Sequence, residues 1–375
     1  MGLSSSSRRF LYAAFTVIGL GVLSYPARAN DTSATVAGGG IHFKKSADIS
    51  MDKEVLKISV DKIDIRYVFF NHADKEVHEL IAFPLPLSPY GNAEDNWRVH
   101  PSWDEDYMAR KLLDENPGSA LDQHPSNCNL KCWLDNAAFI NFERTVNGEK
   151  YGYNYRTQAF DPNGKDITNL LIKHKIPLSS AYLIGYMEEG ALHQNKALQE
   201  KLKKLHLLDG KGNPLWKTQT TYFWQQYFKP QSETVVTHSY KPQAGYHWLT
   251  GKDIKTFDDI KIESRDLDEK SWRNYCVRPD DQAQILSYFK ALRPDDSQVV
   301  RAMEVQYILS TGANWNGPIK DFTLEITPPT PDTIVAFCWP GAVEKSEMGT
   351  VIARAENFTP DKDLKVLFIS LKPGI

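Results

Sequence analysis

Strict alternation between residues 56 and 83 restricts the fold more than any other feature. Leu56, Ile58 and Val60 alternate with Lys57, Ser59 and Asp61, and Ile63, Ile65, Tyr67 and Phe69 repeat the period. A period of two sets one face of each strand on a core and leaves the other wet. Asn71-His72-Ala73-Asp74-Lys75 supplies turn chemistry, and residues 77–83 return as a third strand closed by Pro84. Such a meander predicts an antiparallel sheet packed on another layer.

Strand signals recur. Residues 139–146 and 149–155 flank Asn147-Gly148, a strong hairpin signature. Further strands are predicted over 218–228, 234–240, 299–309, 319–327, 333–339, 350–358 and 364–371. Helical periodicity is confined to two places. In 166–207, Leu198, Leu202 and Leu205 share one face, which predicts a helix packed on a sheet. Residues 280–292 form a short helix capped by Asp280 or Asp281 and stopped at Pro294. The expected fold is mainly β, α+β overall, with two antiparallel β-sandwich-like lobes and a helical insertion in the first. The domains are expected at 30–248, with a loop insertion (88–136) and a helical insertion (166–207), and at 249–375, a β-rich unit that begins in a polar stretch.

Residues 1–29 read as an export leader. Arg8 and Arg9 precede an apolar or small-residue run from Phe10 to Leu23, and Ala27-Arg28-Ala29 offers a cleavage site, so the mature chain is expected to begin at Asn30. The run is short for a membrane span, which needs roughly 20 residues. Phe10 follows the twin arginines one residue short of the usual twin-arginine spacing. The expected location is periplasmic or secreted, with no transmembrane segment once the leader is gone. Without Arg8, Arg9 and Arg28 the chain holds 41 basic against 47 acidic residues, a net charge of −6. That balance argues against nucleic acid, which demands a basic face.

Export changes the meaning of Cys128, Cys132, Cys276 and Cys338, because an even count in an oxidising compartment points to disulfides. Of the three pairings, Cys276 with Cys338 and Cys128 with Cys132 are favoured, since each pair shares one region of the chain. A Cys-x-x-x-Cys metal half-site lacks a histidine at matching spacing, so neither metal nor cofactor is expected.

Motifs for chemistry are missing: there is no G-x-S-x-G turn, H-E-x-x-H helix, phosphate loop or dinucleotide fingerprint. His238 lies in a strand pattern with Tyr240 on the same face and reads as a packed or hydrogen-bonded histidine. The most suggestive surface is 94–107, where Trp97, Trp103 and Tyr107 stand among Glu94, Asp95, Asp104, Glu105 and Asp106. Aromatics beside acceptors suit a sugar or a basic partner segment. Trp315, between Gly312 and Gly317, is either a binding tip or a lid on the core.

The segments "IHFKKSADISMDKEVLKIS", "VDKIDIRYVFFNHADKEVHELIAFPLPL", "GKDITNLLIKHKIPL", "YFWQQYFKPQSETVVTHSYKP" and "YILSTGANWNGPIKDFTLEI" resemble exported bacterial proteins of domain-of-unknown-function family 4424. The resemblance spans nearly the whole mature chain and implies no activity or catalytic residues. The first strands also resemble the start of vault-type interaction sandwiches, without the D-x-S-x-S metal-adhesion motif. The functional expectation is a non-catalytic envelope binding or assembly module whose partner is an envelope protein or glycan. The alternatives are an envelope hydrolase with an unrecognised site, for which carbohydrate is one candidate substrate, and a structural companion of an envelope complex.

Overall fold

The computed structural model describes residues 31–37, 40–87, 141–176, 178, 195–242, 244–251, 253–263, 272–292 and 299–371. The chain opens with β1 (Thr32–Ala37), β2 (Gly40–Phe43), β3 (Ile49–Ile58), β4 (Ile63–Asn71) and β5 (Val77–Pro84). After the hairpin β6 (Glu143–Val146) and β7 (Glu149–Lys150) come β8 (Asn154–Phe160), α1 (Thr168–Lys173) and α2 (Lys196–Lys204). Then follow β9 (Lys217–Phe228), β10 (Glu233–Tyr240), β11 (Ala244–Thr250), β12 (Lys261–Glu263) and α3 (Pro279–Ala291). The chain continues through β13 (Val299–Tyr307), β14 (Ile319–Ile326), β15 (Ile334–Ala336), β16 (Val343–Lys345), β17 (Val351–Phe358) and β18 (Leu364–Ile369). The fold is mainly β, as the alternation predicts.

The strands form three sheets, ordered β2-β1-β5-β9-β8, β16-β17-β14-β3-β4-β10-β6-β7, and β12-β11-β13-β18-β15. Pairing is antiparallel except between β14 and β3, which run parallel. In β4 the apolar set Ile63, Ile65, Tyr67 and Phe69 is buried, and Arg66 on the other face is exposed. A register shift between Met51 and Lys53 changes the parity of β3, so Ile49 and Met51 face inward before it and Glu54, Leu56 and Ile58 after it. The inner faces of all three sheets meet in one large core that includes Tyr67, Phe83, Tyr222, Tyr307, Phe322 and Phe368.

Two smaller cores lie outside it. Leu202 of α2 packs with Leu171, Ile176 and Trp216, and Leu198 and Leu205 flank them, as the helical period predicts. The Asn195 side chain caps α2 by accepting from Leu198 N at 3.0 Å. On the third sheet, α3 buries Ile285 and Phe289 against Leu249, Val300, Ala302, Leu367 and Ile369. Strands β13 and β18 are covered on both faces, since Val305, Tyr307, Val366 and Phe368 join the large core.

The structure departs from the sequence expectations in three places. The second strand of the Asn147-Gly148 hairpin is only β7, after which the chain crosses to β8 in another sheet. Helix α3 starts on Pro279, whose missing N–H costs nothing at the first turn, while Asp280 and Asp281 follow it. The strands expected to build one C-terminal unit divide between sheets: β14 and β17 join β3 and β4, and β13, β15 and β18 stay with β11. The 248/249 division therefore does not separate the sheets, because strand partners are chosen in space and are not written locally.

Candidate functional site

At one end of the layer between the first and second sheets, the polar groups Asp31, Arg144 and His238 are buried. The β10–β6 register sets His238 directly opposite Arg144, so both side chains point into the layer from neighbouring strands. Trp224 and Gln226 reach the same space from β9 on the facing sheet. Arg144 donates from Nη2 to Gly152 O at 2.8 Å and from Nη1 to Gln226 Oε1 at 3.3 Å. Its guanidinium carbon lies 4.6 Å from the Trp224 ring centroid and 5.4 Å from that of Tyr151, which sandwiches the cation between aromatic faces.

His238 sits in an aromatic box. Phe83, Phe142, Trp224 and Tyr67 have ring centroids 4.9, 5.1, 5.2 and 5.5 Å away, and Trp224 meets it edge-on at 90°. Its Nε2 is 3.6 Å from Asp31 Oδ2. Burial drives the His238 imidazole well below its ordinary pKa, and Arg144 adds to the effect. Burial raises the Asp31 carboxyl well above its usual value, with Arg144 opposing and Glu54 reinforcing the rise. The Arg144 guanidinium is itself lowered by burial, against the pull of Asp31. Deeper in, Tyr67 Oη and Tyr307 Oη are 3.0 Å apart, and Tyr307 donates to Glu54 Oε1 at 3.5 Å.

The polar atoms here are not saturated. Arg144 Nε, Trp224 Nε1, both ring nitrogens of His238 and Tyr240 Oη are buried and make no hydrogen bond among the described residues. Most buried polar groups are paired, so their concentration at one place is unusual. Toward solvent the site is framed by Tyr151 and Tyr153, 49% and 37% exposed. Tyr153 stands edge-on to the stacked pair Phe142–Tyr222, 5.1 Å from each ring. The arrangement can hold a planar acceptor group on cationic and neutral donors, and offers aromatic faces to whatever carries it.

Trp315 is not an accessible tip. It is fully buried, 4.5 Å from the Phe69 ring, and its indole N–H donates to Asp31 O at 2.8 Å. Gly317, at a φ of 86°, turns the connection behind it, and the indole plugs the layer. Trp97, Trp103, Tyr107, Cys128 and Cys132 lie outside the described residues. Cys276 and Cys338 are joined in a disulfide with Cα atoms 4.9 Å apart. His238 is packed, as expected, but against rings and not in a hydrogen-bonded pair. Arg144, Tyr151, Tyr153 and Trp224 were invisible as a site in sequence. The one available hint was the alternation Tyr151-Gly152-Tyr153-Asn154-Tyr155 directly after a hairpin.

A second buried polar group occupies the third sheet, where Glu304 accepts from Tyr275 Oη and Gln306 Nε2 with His247 Nε2 at 3.5 Å. A cleft of about 390 Å³ opens near α3, lined by Gly251, Ile254, Lys255, Phe289 and Lys290 with Asp253. Among the described residues no group of three or more His, Cys, Asp or Glu is placed to hold a metal ion, and no helix is long and apolar enough to cross a membrane.

No curated protein matches the chain. A solved structure from Legionella pneumophila subsp. pneumophila str. Philadelphia 1, described as a candidate nutrient-binding protein, is similar at 15% identity and a TM-score of 0.40. The match covers 92% of this chain and 71% of that one, a likeness too shallow to carry over a ligand. The family described as a domain of unknown function, DUF4424, matches residues 29–106 and 126–367. That span includes the Asp31–Arg144–His238 group, the disulfide and every strand except the last two residues of β18, and the chain belongs to the DUF4424 family.

Proposed function

We propose that the chain is a non-catalytic binding module of the bacterial cell envelope, and that it binds through the tyrosine-framed end of the layer between its first two sheets. The observation that carries this reading is the buried Arg144, between Trp224 and the exposed Tyr151, beside donors that have no acceptor among the described residues. Buried arginine with aromatic neighbours is the composition of a recognition hot spot. The leader-like residues 1–29 and the exposed disulfide Cys276–Cys338 support action in an oxidising compartment outside the cytoplasm.

Capture from a bacterial envelope extract tests the reading. Replacing Tyr151 and Tyr153 together by Ala should weaken capture of the partner by roughly tenfold or more while the protein stays folded. Trp103→Ala, run in the same assay, reports on the separate aromatic segment at 94–107. Capture untouched by the double variant but lost in Trp103→Ala would move the binding face away from the tyrosines. N-terminal sequencing of protein from the envelope should begin at Asn30, and an intact Met1 form in cytosol would remove the envelope from the proposal.

A further inference from the structure

We infer that the tyrosine-framed end recognises a carboxylate-bearing ligand, with the acid group received by Arg144 and Trp224. This rests on the reading of that end as the binding site and adds the chemical class. Arg144 Nε–H and Trp224 Nε1–H can only donate, and both are buried without an acceptor among the described residues. Arg144 uses one N–H of Nη1 and one of Nη2 on Gln226 and Gly152, which fixes the plane of the guanidinium, and its Nε–H makes no bond among the described residues. The guanidinium lies over the Trp224 ring, so the two spare N–H groups are neighbours. A carboxylate presents two coplanar acceptors and forms charge-assisted bonds to such donors, shorter and stronger than those of a neutral hydroxyl.

Access is through Tyr151, whose side chain is half exposed. Its ring covers Arg144 from the solvent side, and its hydroxyl is tied to the exposed Glu149 Oε2 at 3.2 Å. The Tyr151 backbone is anchored separately, its N–H donating to Arg144 O at 3.1 Å, so the side chain can swing about a fixed main chain. Once displaced, Tyr151 and Tyr153 flank the body of the ligand. Asp31 is the acidic neighbour that a carboxylate must tolerate, and its burial favours the neutral acid, which reduces the repulsion. A neutral sugar would find the same aromatic faces but would bring no charge to the arginine.

Glucuronate and glucose differ only in the carboxylate at one end of the same ring, and succinate supplies carboxylates without a ring. Each is titrated calorimetrically into the full-length mature chain at constant ionic strength. Glucuronate and succinate should bind and glucose should not. Trp224→Phe keeps an aromatic face and removes the N–H, and should weaken glucuronate by roughly tenfold in protein that still melts cooperatively. Arg144→Lys keeps the charge and loses the planar fork, and should weaken it at least as much; circular dichroism checks that it folds, and Trp224→Phe decides if it does not. Equal binding of glucose and glucuronate overturns the inference, as does binding of neither acid, or acid binding indifferent to Trp224→Phe and to a folded Arg144→Lys. If envelope capture still depends on Tyr151 and Tyr153 while no acid binds, the binding-site reading stands and only the carboxylate class falls. If capture ignores the tyrosines as well, both fall.

Discussion

His238 illustrates how a buried side chain ties stability to acidity. Free histidine titrates near 6.5, and the folded protein refuses that proton until a lower pH. Below about 6.5 the unfolded chain therefore binds a proton that the folded chain does not, and stability falls as pH falls. Above that value both states are neutral and the full contribution is present. Asp31 has the opposite sign: its raised folded pKa costs stability as pH climbs past the unfolded value. In urea unfolding between pH 7.5 and 5, His238→Phe should flatten or reverse the acid-side loss, with a difference of up to about 1.4 kcal/mol per pH unit against the wild type. Parallel curves would show that His238 does not titrate differently on folding. Trp315 gives the simpler test. It is fully buried on Phe69 with its N–H satisfied by Asp31 O, so Trp315→Ala should cost about 3–5 kcal/mol in the same assay. A loss below about 1 kcal/mol would place the ring at the surface.

Among the elements, the disulfide between Cys276 and Cys338 fastens the turn before α3 to the loop after β15 across a sequence separation of 62. Tyr275, next to Cys276, is buried and donates to Glu304, so the fastening holds a side chain of the smaller core in place. Reduction should lower stability by about 3–4 kcal/mol, mostly through the freedom returned to the unfolded chain. Unfolding with and without reductant reads this directly, and coincident curves would mean the bond is idle. Individual elements were the most legible part of the sequence. The alternation of β4 and the face of α2 appear where periodicity puts them, and Asn147 and Gly148 adopt the positive φ of 50° and 88° that the hairpin demands. The shift in β3 was not legible, since one extra residue changes parity without changing composition. The site was less legible still. Arg144 and Trp224 come from strands of different sheets, and nothing local to either residue records that they will face each other.

At the level of the whole molecule, the parallel pairing of β14 with β3 joins the two ends of the chain through one sheet. Leu324 and Ile326 fill the large core beside Leu56 and Ile58, and β17 follows β14 into that sheet. A fragment holding 249–375 would carry β14 and β17 with an unpaired edge and an uncovered apolar face. It should fail to fold alone, giving a poorly dispersed NMR spectrum and a non-cooperative melt, whereas the mature chain should unfold cooperatively. A well-dispersed spectrum from the fragment would restore an independent C-terminal unit.

The bond from Trp315 to Asp31 spans 284 residues of sequence. Asp31 leaves the ribosome early, yet its partner arrives only when most of the chain has been made. On the export reading the N-terminus also crosses the membrane ahead of residue 315, so the first strand waits for the plug that seals its end of the layer. Through that interval β1 and the polar group around Asp31 are open to water and to other chains. The last part of this protein to be made therefore sets the moment at which the first part becomes safe.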